Sequence, residues 1–255
     1  MATARQVLIY LSLKHQGEWE KIYEDIVQKV VYPSEEIEKV TGDLKINTVT
    51  ILDKDYPEPL KQINKPPFVL FYYGDFSLLS DYQNCLAVVG SRNYSEYGKT
   101  ATINIIKDLK GKFTIISGLA LGIDSIAHEA ALDSNAKTVA ILGSGIDYCY
   151  PKSNCEIYQK IKQNHLIISE YPGNVEPKPK HFPIRNRLIA ALAKSVLVTE
   201  AKKKSGTLIT VSLAASIGRN IMCVPYPINQ DSECNQLIKD GAYLVESGED
   251  VIEYM

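Results

Sequence analysis

From residue 86 to residue 224 the chain gathers apolar residues into short unbroken runs separated by longer stretches of helical spacing, and this alternation limits the fold most. The runs fall at 86–89, 113–116, 138–142, 166–168, 196–199 and 221–224, with an earlier one at 68–73. Successive side chains of a strand point to opposite faces, so an unbroken apolar run needs cover on both. Helical patterns at 99–109, 125–131 and 208–217 supply that cover. The expected fold is α/β: a Rossmann-like, doubly wound, mostly parallel sheet.

Upstream, apolar residues recur at helical spacing from Val7 to Val30 with a break near Gly17, and Pro33 and Ser34 open a further helical stretch that Gly42 ends. Residues 1–48 therefore read as a small N-terminal helical region and residues 49–255 as the Rossmann-like domain. A connector holding Pro57, Pro59, Pro66 and Pro67 leads into the first apolar run, and residues 243–255 suit a last strand and short helix. With 45% hydrophobic residues in a chain of 255, a sizeable core can be buried.

In such sheets ligands lie beyond the carboxyl ends of the strands. There the chain places Gly90-Ser91-Arg92, Ser117-Gly118 with Gly122 and Asp124 beyond, Gly143-Ser144-Gly145, and Ser205-Gly206-Thr207 at the head of a helix. Small residues let backbone N–H groups approach a ligand, and a helix N-terminus attracts anions. Ser205 and Thr207 add hydroxyls, and Arg92 adds a charged fork. Several such turns on one sheet edge point to an anion site. A dinucleotide fits poorly, because Tyr148 stands where the third glycine of G-x-G-x-x-G would follow Gly143 and Gly145. A Walker A loop is absent too, since Gly98-Lys99-Thr100 lacks its earlier glycine. No cofactor, metal or catalytic residue is expected.

The 28 basic and 30 acidic residues give a net charge of −2, so a nucleic-acid site must be local. Between Lys178 and Lys204 stand Lys178, Lys180, Arg185, Arg187, Lys194, Lys202, Lys203 and Lys204, opposed only by Glu200. Cations that neutralise phosphates bind without sequence preference, and Phe182 among them suits stacking on an unpaired base. Arg185 and Arg187 alternate, so both need not face a ligand; one suits a buried ion pair with an acid such as Glu170 or Glu200. The five cysteines, Cys85, Cys149, Cys155, Cys223 and Cys234, lack the spacing of a metal knuckle and read as reduced thiols. No stretch approaches the roughly 18 apolar residues of a membrane span, and the start lacks a secretory core, so no membrane role and a cytoplasmic setting are expected.

Taken in order, these turns resemble those of the DprA/Smf family. Gly90-Ser91-Arg92, the stretch from Ser117 to Asp124 with His128, Tyr150-Pro151 with Asn154, and Ser169-Glu170-Tyr171-Pro172 follow that family's succession. So do Phe182-Pro183-Ile184-Arg185-Asn186-Arg187, Glu200-Ala201, Ser205-Gly206-Thr207-Leu208 and Asn235, and the likeness covers about residues 50 to 245. The resemblance implies a homodimeric binder of single-stranded DNA that loads the RecA recombinase during natural transformation, easing displacement of the single-strand-binding protein, without catalysis. It implies DNA contacts at Gly90, Ser91, Arg92, Ser117, Gly118, Lys180, Phe182, Arg185, Asn186, Ser205, Gly206 and Thr207, and self-association near residues 235–241. Pro225-Tyr226-Pro227 and Glu233 depart from the family's pattern, and the winged-helix tail of many members has no expected counterpart. A rival reading takes Glu200 and Arg185 as the catalytic pair of a nucleotide phosphoribohydrolase, with Asp124 and His128 imitating an acid–base pair. At i and i+4, those last two better support a helix.

Overall fold

The computed structural model describes residues 1–255. Three helices open it: α1 (Ala4–Lys14), α2 (Trp19–Val27) and α3 (Ser34–Gly42). Thr3 and Gln6 form a reciprocal capping box that starts α1. The short strand β1 (Asn47–Thr50), the single turn α4 (Glu58–Lys61) and β2 (Val69–Gly74) follow. Strand and helix then alternate as β3 (Cys85–Gly90), α5 (Glu96–Asp108), β4 (Thr114–Ser117), α6 (Ile123–Asp133), β5 (Thr138–Gly145), α7 (Cys155–Asn164) and β6 (Leu166–Tyr171). The chain continues through α8 (His181–Leu192), β7 (Ser195–Glu200), α9 (Gly206–Ser216), β8 (Asn220–Cys223), α10 (Cys234–Lys239), β9 (Tyr243–Leu244) and α11 (Gly248–Tyr254).

The strands form one sheet of nine in the order β1-β2-β6-β5-β4-β3-β7-β8-β9. β1 pairs antiparallel with β2 and β2 with β6, while every later pairing is parallel. The doubly wound, mostly parallel sheet expected from the apolar runs is what the chain forms. From Cys85 to Val89 every residue of β3 is buried, which requires cover on both faces. β1 was not among the expected strands, because Asn47 and Thr48 break its apolar pattern at the edge of the sheet, where one end is exposed. The N-terminal helices dock on this edge: Leu8 and Ile9 of α1 join Val69 and Phe71 of β2 in one buried cluster.

From β3 to β6 the chain steps through the sheet in one direction. Helix α8 then carries it back, and β7, β8 and β9 are laid down on the other side of β3. The switch point therefore lies between β3 and β7. Sequence patterning did not single out α8. Its residues from Leu188 to Leu192 are apolar on all sides and wholly buried, so it has no polar face for periodicity to reveal. Pro183 interrupts it only in the first turn, where a missing N–H breaks no helical hydrogen bond.

One expectation fails. Cys149 and Cys155, six residues apart, are joined as a disulfide, not held as two thiols. The turn between them brings their Cα atoms to 5.7 Å, inside the range such a bond requires. Cys85, Cys223 and Cys234 are free and buried.

His128 of α6 lies wholly buried, its Nδ1 2.7 Å from the Thr138 hydroxyl. Burial, with Arg185 adding repulsion, pushes it down to about 3. An unfolded chain takes up this proton near pH 6.5, so the contribution of a neutral His128 is complete above that pH and is lost as pH falls toward 3. Urea unfolding should show wild type losing stability between pH 6 and pH 4 by up to about 1.4 kcal/mol per pH unit more than His128→Asn. Equal slopes in the two proteins would remove His128 from the acid sensitivity.

Candidate functional site

A crevice of about 620 Å³ opens beyond the carboxyl ends of β3 and β7, at the switch point. One wall is the turn after β3, with Gly90, Ser91, Arg92 and Asn93. Opposite stand Lys202 and Ser205, Gly206 and Thr207, which lead from β7 into α9. The first two turns of α8 add Phe182, Pro183, Arg185 and Asn186, and the lining also includes Ala120, Asp124 and Tyr150.

Helix N-termini divide into one that is filled and one that is open. Glu200, at the end of β7, accepts hydrogen bonds at 2.8 Å from both the Ser95 amide and the Ser95 hydroxyl, at the head of α5. Tyr226 donates to the same oxygen at 3.2 Å. A side chain on Gly98 would put its Cβ 2.3 Å from that carboxylate, so glycine is required there. An internal anion thus occupies the helix that follows β3, where a Rossmann fold would set its pyrophosphate. At α9, by contrast, Ser205 is the N-cap residue but its side chain makes no capping hydrogen bond. Its hydroxyl oxygen is buried and has no partner. The unused donors and the positive end of the helix dipole face the crevice, where an oxyanion would satisfy both.

Arg92 is exposed and makes no ion pair, and its guanidinium lies 5.4 Å from the centre of the Phe182 ring. A free cation and a half-buried aromatic therefore stand side by side. Arg185 is different. It is buried, donating to the carbonyl oxygens of Gly118 (2.6 Å) and Ile141, and to Asn186 Oδ1 at 3.1 Å. Burial pushes its guanidinium down to about 10, against the attraction of Asp124, so it stays charged at neutral pH. Burial raises the Asp124 carboxyl in turn, against the pull of Arg185.

Of the twelve residues expected to touch DNA, Gly90, Ser91, Arg92, Phe182, Arg185, Asn186, Ser205, Gly206 and Thr207 line the crevice. Ser117, Gly118 and Lys180 do not. Ser117 is buried and donates to the Val88 carbonyl. Gly118 gives room to Arg185, whose guanidinium would lie 2.6 Å from any Cβ there. Lys180 reaches away to Glu18 of the N-terminal region at 2.8 Å.

The basic stretch also divides. Lys178 joins Lys180 on Glu18, and Arg187 makes a two-pronged pair with Glu170, one of the partners expected for a structural arginine. Two positions apart on a helix, Arg185 and Arg187 face nearly opposite ways, which is why they part company. Tyr150, Asp124 and Lys202 line the crevice without having been picked out as contacts. Tyr150-Pro151, in the turn after β5, was the signal available for the first.

Fold and crevice together define a Rossmann-like protein whose usual dinucleotide position is filled from within and whose α9 head stands open beside a free arginine. Residues 47–255 match the family model of DNA recombination-mediator protein A, and the chain belongs to that family. It is 43% identical over 210 residues to the DNA processing protein DprA of Streptococcus pneumoniae, covering 82% of this chain and 74% of that one. The Bacillus subtilis DprA is 37% identical over 211 residues, covering 82% and 71%. The X-ray structure of the S. pneumoniae protein superposes with a TM-score of 0.83 at 34% identity, over 99% of this chain and 98% of that one. A Helicobacter pylori DNA processing protein A, whose structure describes a single-stranded DNA binding mode, superposes with a TM-score of 0.73 at 30% identity, over 83% and 95%. No helix of this chain is long and apolar enough to cross a membrane.

The two kinds of arginine should separate in a stability measurement. Arg187→Ala leaves the buried Glu170 unpaired and is expected to cost about 3 kcal/mol in denaturant unfolding. Arg92→Ala should stay within about 0.5 kcal/mol of wild type. A large loss for Arg92→Ala would mean that this side chain supports the fold.

Proposed function

We propose that this chain binds single-stranded DNA in the crevice between β3 and β7 and delivers it without chemical change. The observation that carries the proposal is the open head of α9, with the unpartnered Ser205 hydroxyl, lying in one crevice with Arg92 and Phe182. Helix head and arginine suit a phosphate oxygen, and the ring suits an unstacked base, which duplex DNA does not offer. The binding mode described for the H. pylori neighbour supports the same ligand.

Binding without catalysis is supported by how the rival catalytic pair is used. Glu200 holds Ser95, the N-cap of α5, and Arg185 holds backbone carbonyls, so each is committed to the fold. Asp124 sits in the first turn of α6, and buried His128 bonds to Thr138. Membership in a recombination-mediator family supports the finer reading. In it, the chain loads RecA onto incoming DNA in natural transformation and eases removal of the single-strand-binding protein. It acts there as a homodimer. Its self-association would use the β9 end of the sheet, where Tyr243 and Leu244 are exposed beside α10 and α11.

Fluorescence anisotropy with labelled oligo-dT tests the site. Arg92→Ala should weaken binding at least tenfold and lower the slope of log affinity against log salt by about 0.7, the value for one phosphate contact on a single strand. Phe182→Ala should weaken it about tenfold with the salt slope unchanged. Lys180→Ala, committed to Glu18, should bind within about twofold of wild type. Wild-type affinity and slope in folded Arg92→Ala would place the DNA elsewhere.

A further inference from the structure

Tyr150 reaches the crevice on a short segment fastened at both ends. The residue is 45% exposed and its ring centre lies 5.7 Å from that of Phe182, so the two aromatic side chains share one lip. Downstream, the segment is anchored in the core. Asn154 donates to the carbonyls of Leu119 and Ala120 at 3.0 and 3.2 Å, and α7 begins at once with Cys155, burying Ile157, Tyr158 and Ile161. Upstream of Tyr150 stands Cys149, and its bond to Cys155 ties the tyrosine's neighbour directly to the head of that anchored helix. Both sulfur-bearing residues are half-buried, within reach of small thiols, whereas the other three cysteines are buried at 0% exposure. The accessible cysteine pair is therefore the one that brackets a crevice aromatic.

We propose that Tyr150 is a second platform for an unpaired base and that the Cys149–Cys155 bond sets its position, so that the grip on single-stranded DNA follows the thiol–disulfide state of this pair. The proposal rests on the reading of the crevice as a DNA site. A ring held beside Phe182 has already lost the freedom that stacking would otherwise remove, so the bridged form binds more tightly. Forming the bridge takes two electrons and two protons from two thiols. A low-molecular-weight disulfide accepts both and leaves as two thiols by way of a mixed disulfide, and a dithiol drives the reverse reaction while closing to its own disulfide.

The test measures oligo-dT anisotropy on the full chain equilibrated with oxidised glutathione or with dithiothreitol, with bridge state counted by alkylation and mass. Bridged wild type should bind about three- to tenfold more tightly than reduced wild type. Cys149→Ser should bind equally in both buffers. Tyr150→Ala should bind about tenfold more weakly than bridged wild type and lose the response, while Tyr150→Phe keeps both. Failure of wild type to form the bridge, or equal affinity once the mass shows it opened, would overturn the switch. Wild-type binding by Tyr150→Ala alongside a loss in Arg92→Ala would overturn the platform and leave the crevice reading standing. Wild-type binding by Arg92→Ala as well would remove that reading and this proposal with it.

Discussion

A buried guanidinium needs acceptors on nearly every side, and Arg185 finds them in the elements that enclose the crevice. It bonds to the carbonyls of Gly118, beyond β4, and Ile141, within β5, and lies close enough to Asp124 of α6 for each to act on the other's ionisation. Its neighbour Asn186 accepts from it and donates in turn to the Gly206 carbonyl at 3.3 Å. Three separate elements are thus tied to Arg185, and a fourth, α9, through its neighbour Asn186. Removing a partner would leave a charge buried without compensation, a cost of several kcal/mol that holds the arrangement in place. The crevice keeps its shape because its floor is a single charge-assisted network.

In the proposed reading, the ligand on that floor is selected by which helix head is left open. A doubly wound sheet offers an anion site wherever a helix starts beside the switch point. Here Glu200 fills the first, at α5, and closes it with Ser95, Gly98 and Tyr226. The head of α9 stays open beside Arg92 and Phe182. On this proposal, a fold widely used for dinucleotides is turned toward a ligand that presents phosphate and an exposed base face. The choice rests on one internal carboxylate and one uncapped helix.

Much of this was legible in the sequence, for reasons that differ by element. Runs such as 86–89 and 196–199 identify buried parallel strands because covering both faces leaves no alternation. Small residues at strand ends located the crevice, since turns that admit a ligand exclude bulk. α8 stayed hidden for the opposite reason: buried on all sides, it shows no helical period. Charge was the least legible feature. Eight cations between Lys178 and Lys204 read as one patch, but Lys178 and Lys180 meet Glu18, 160 residues or more away in the chain, and Arg187 meets Glu170. Long-range pairing of this kind is invisible without the fold. Ser117 and Gly118 looked like ligand contacts for a related reason: a turn that makes room for a buried arginine is as rich in small residues as one that admits a phosphate.

The crevice between β3 and β7 is the proposed seat of the DNA. Photo-crosslinking with an oligo-dT carrying 5-iodo-deoxyuridine, followed by mass mapping of the linked peptide, tests it most directly. A crosslink at Phe182 or Tyr150, suppressed by excess unlabelled oligo-dT, is expected. Efficient, competable crosslinking confined to residues outside the crevice, such as the exposed aromatic Tyr23 of α2, would contradict it.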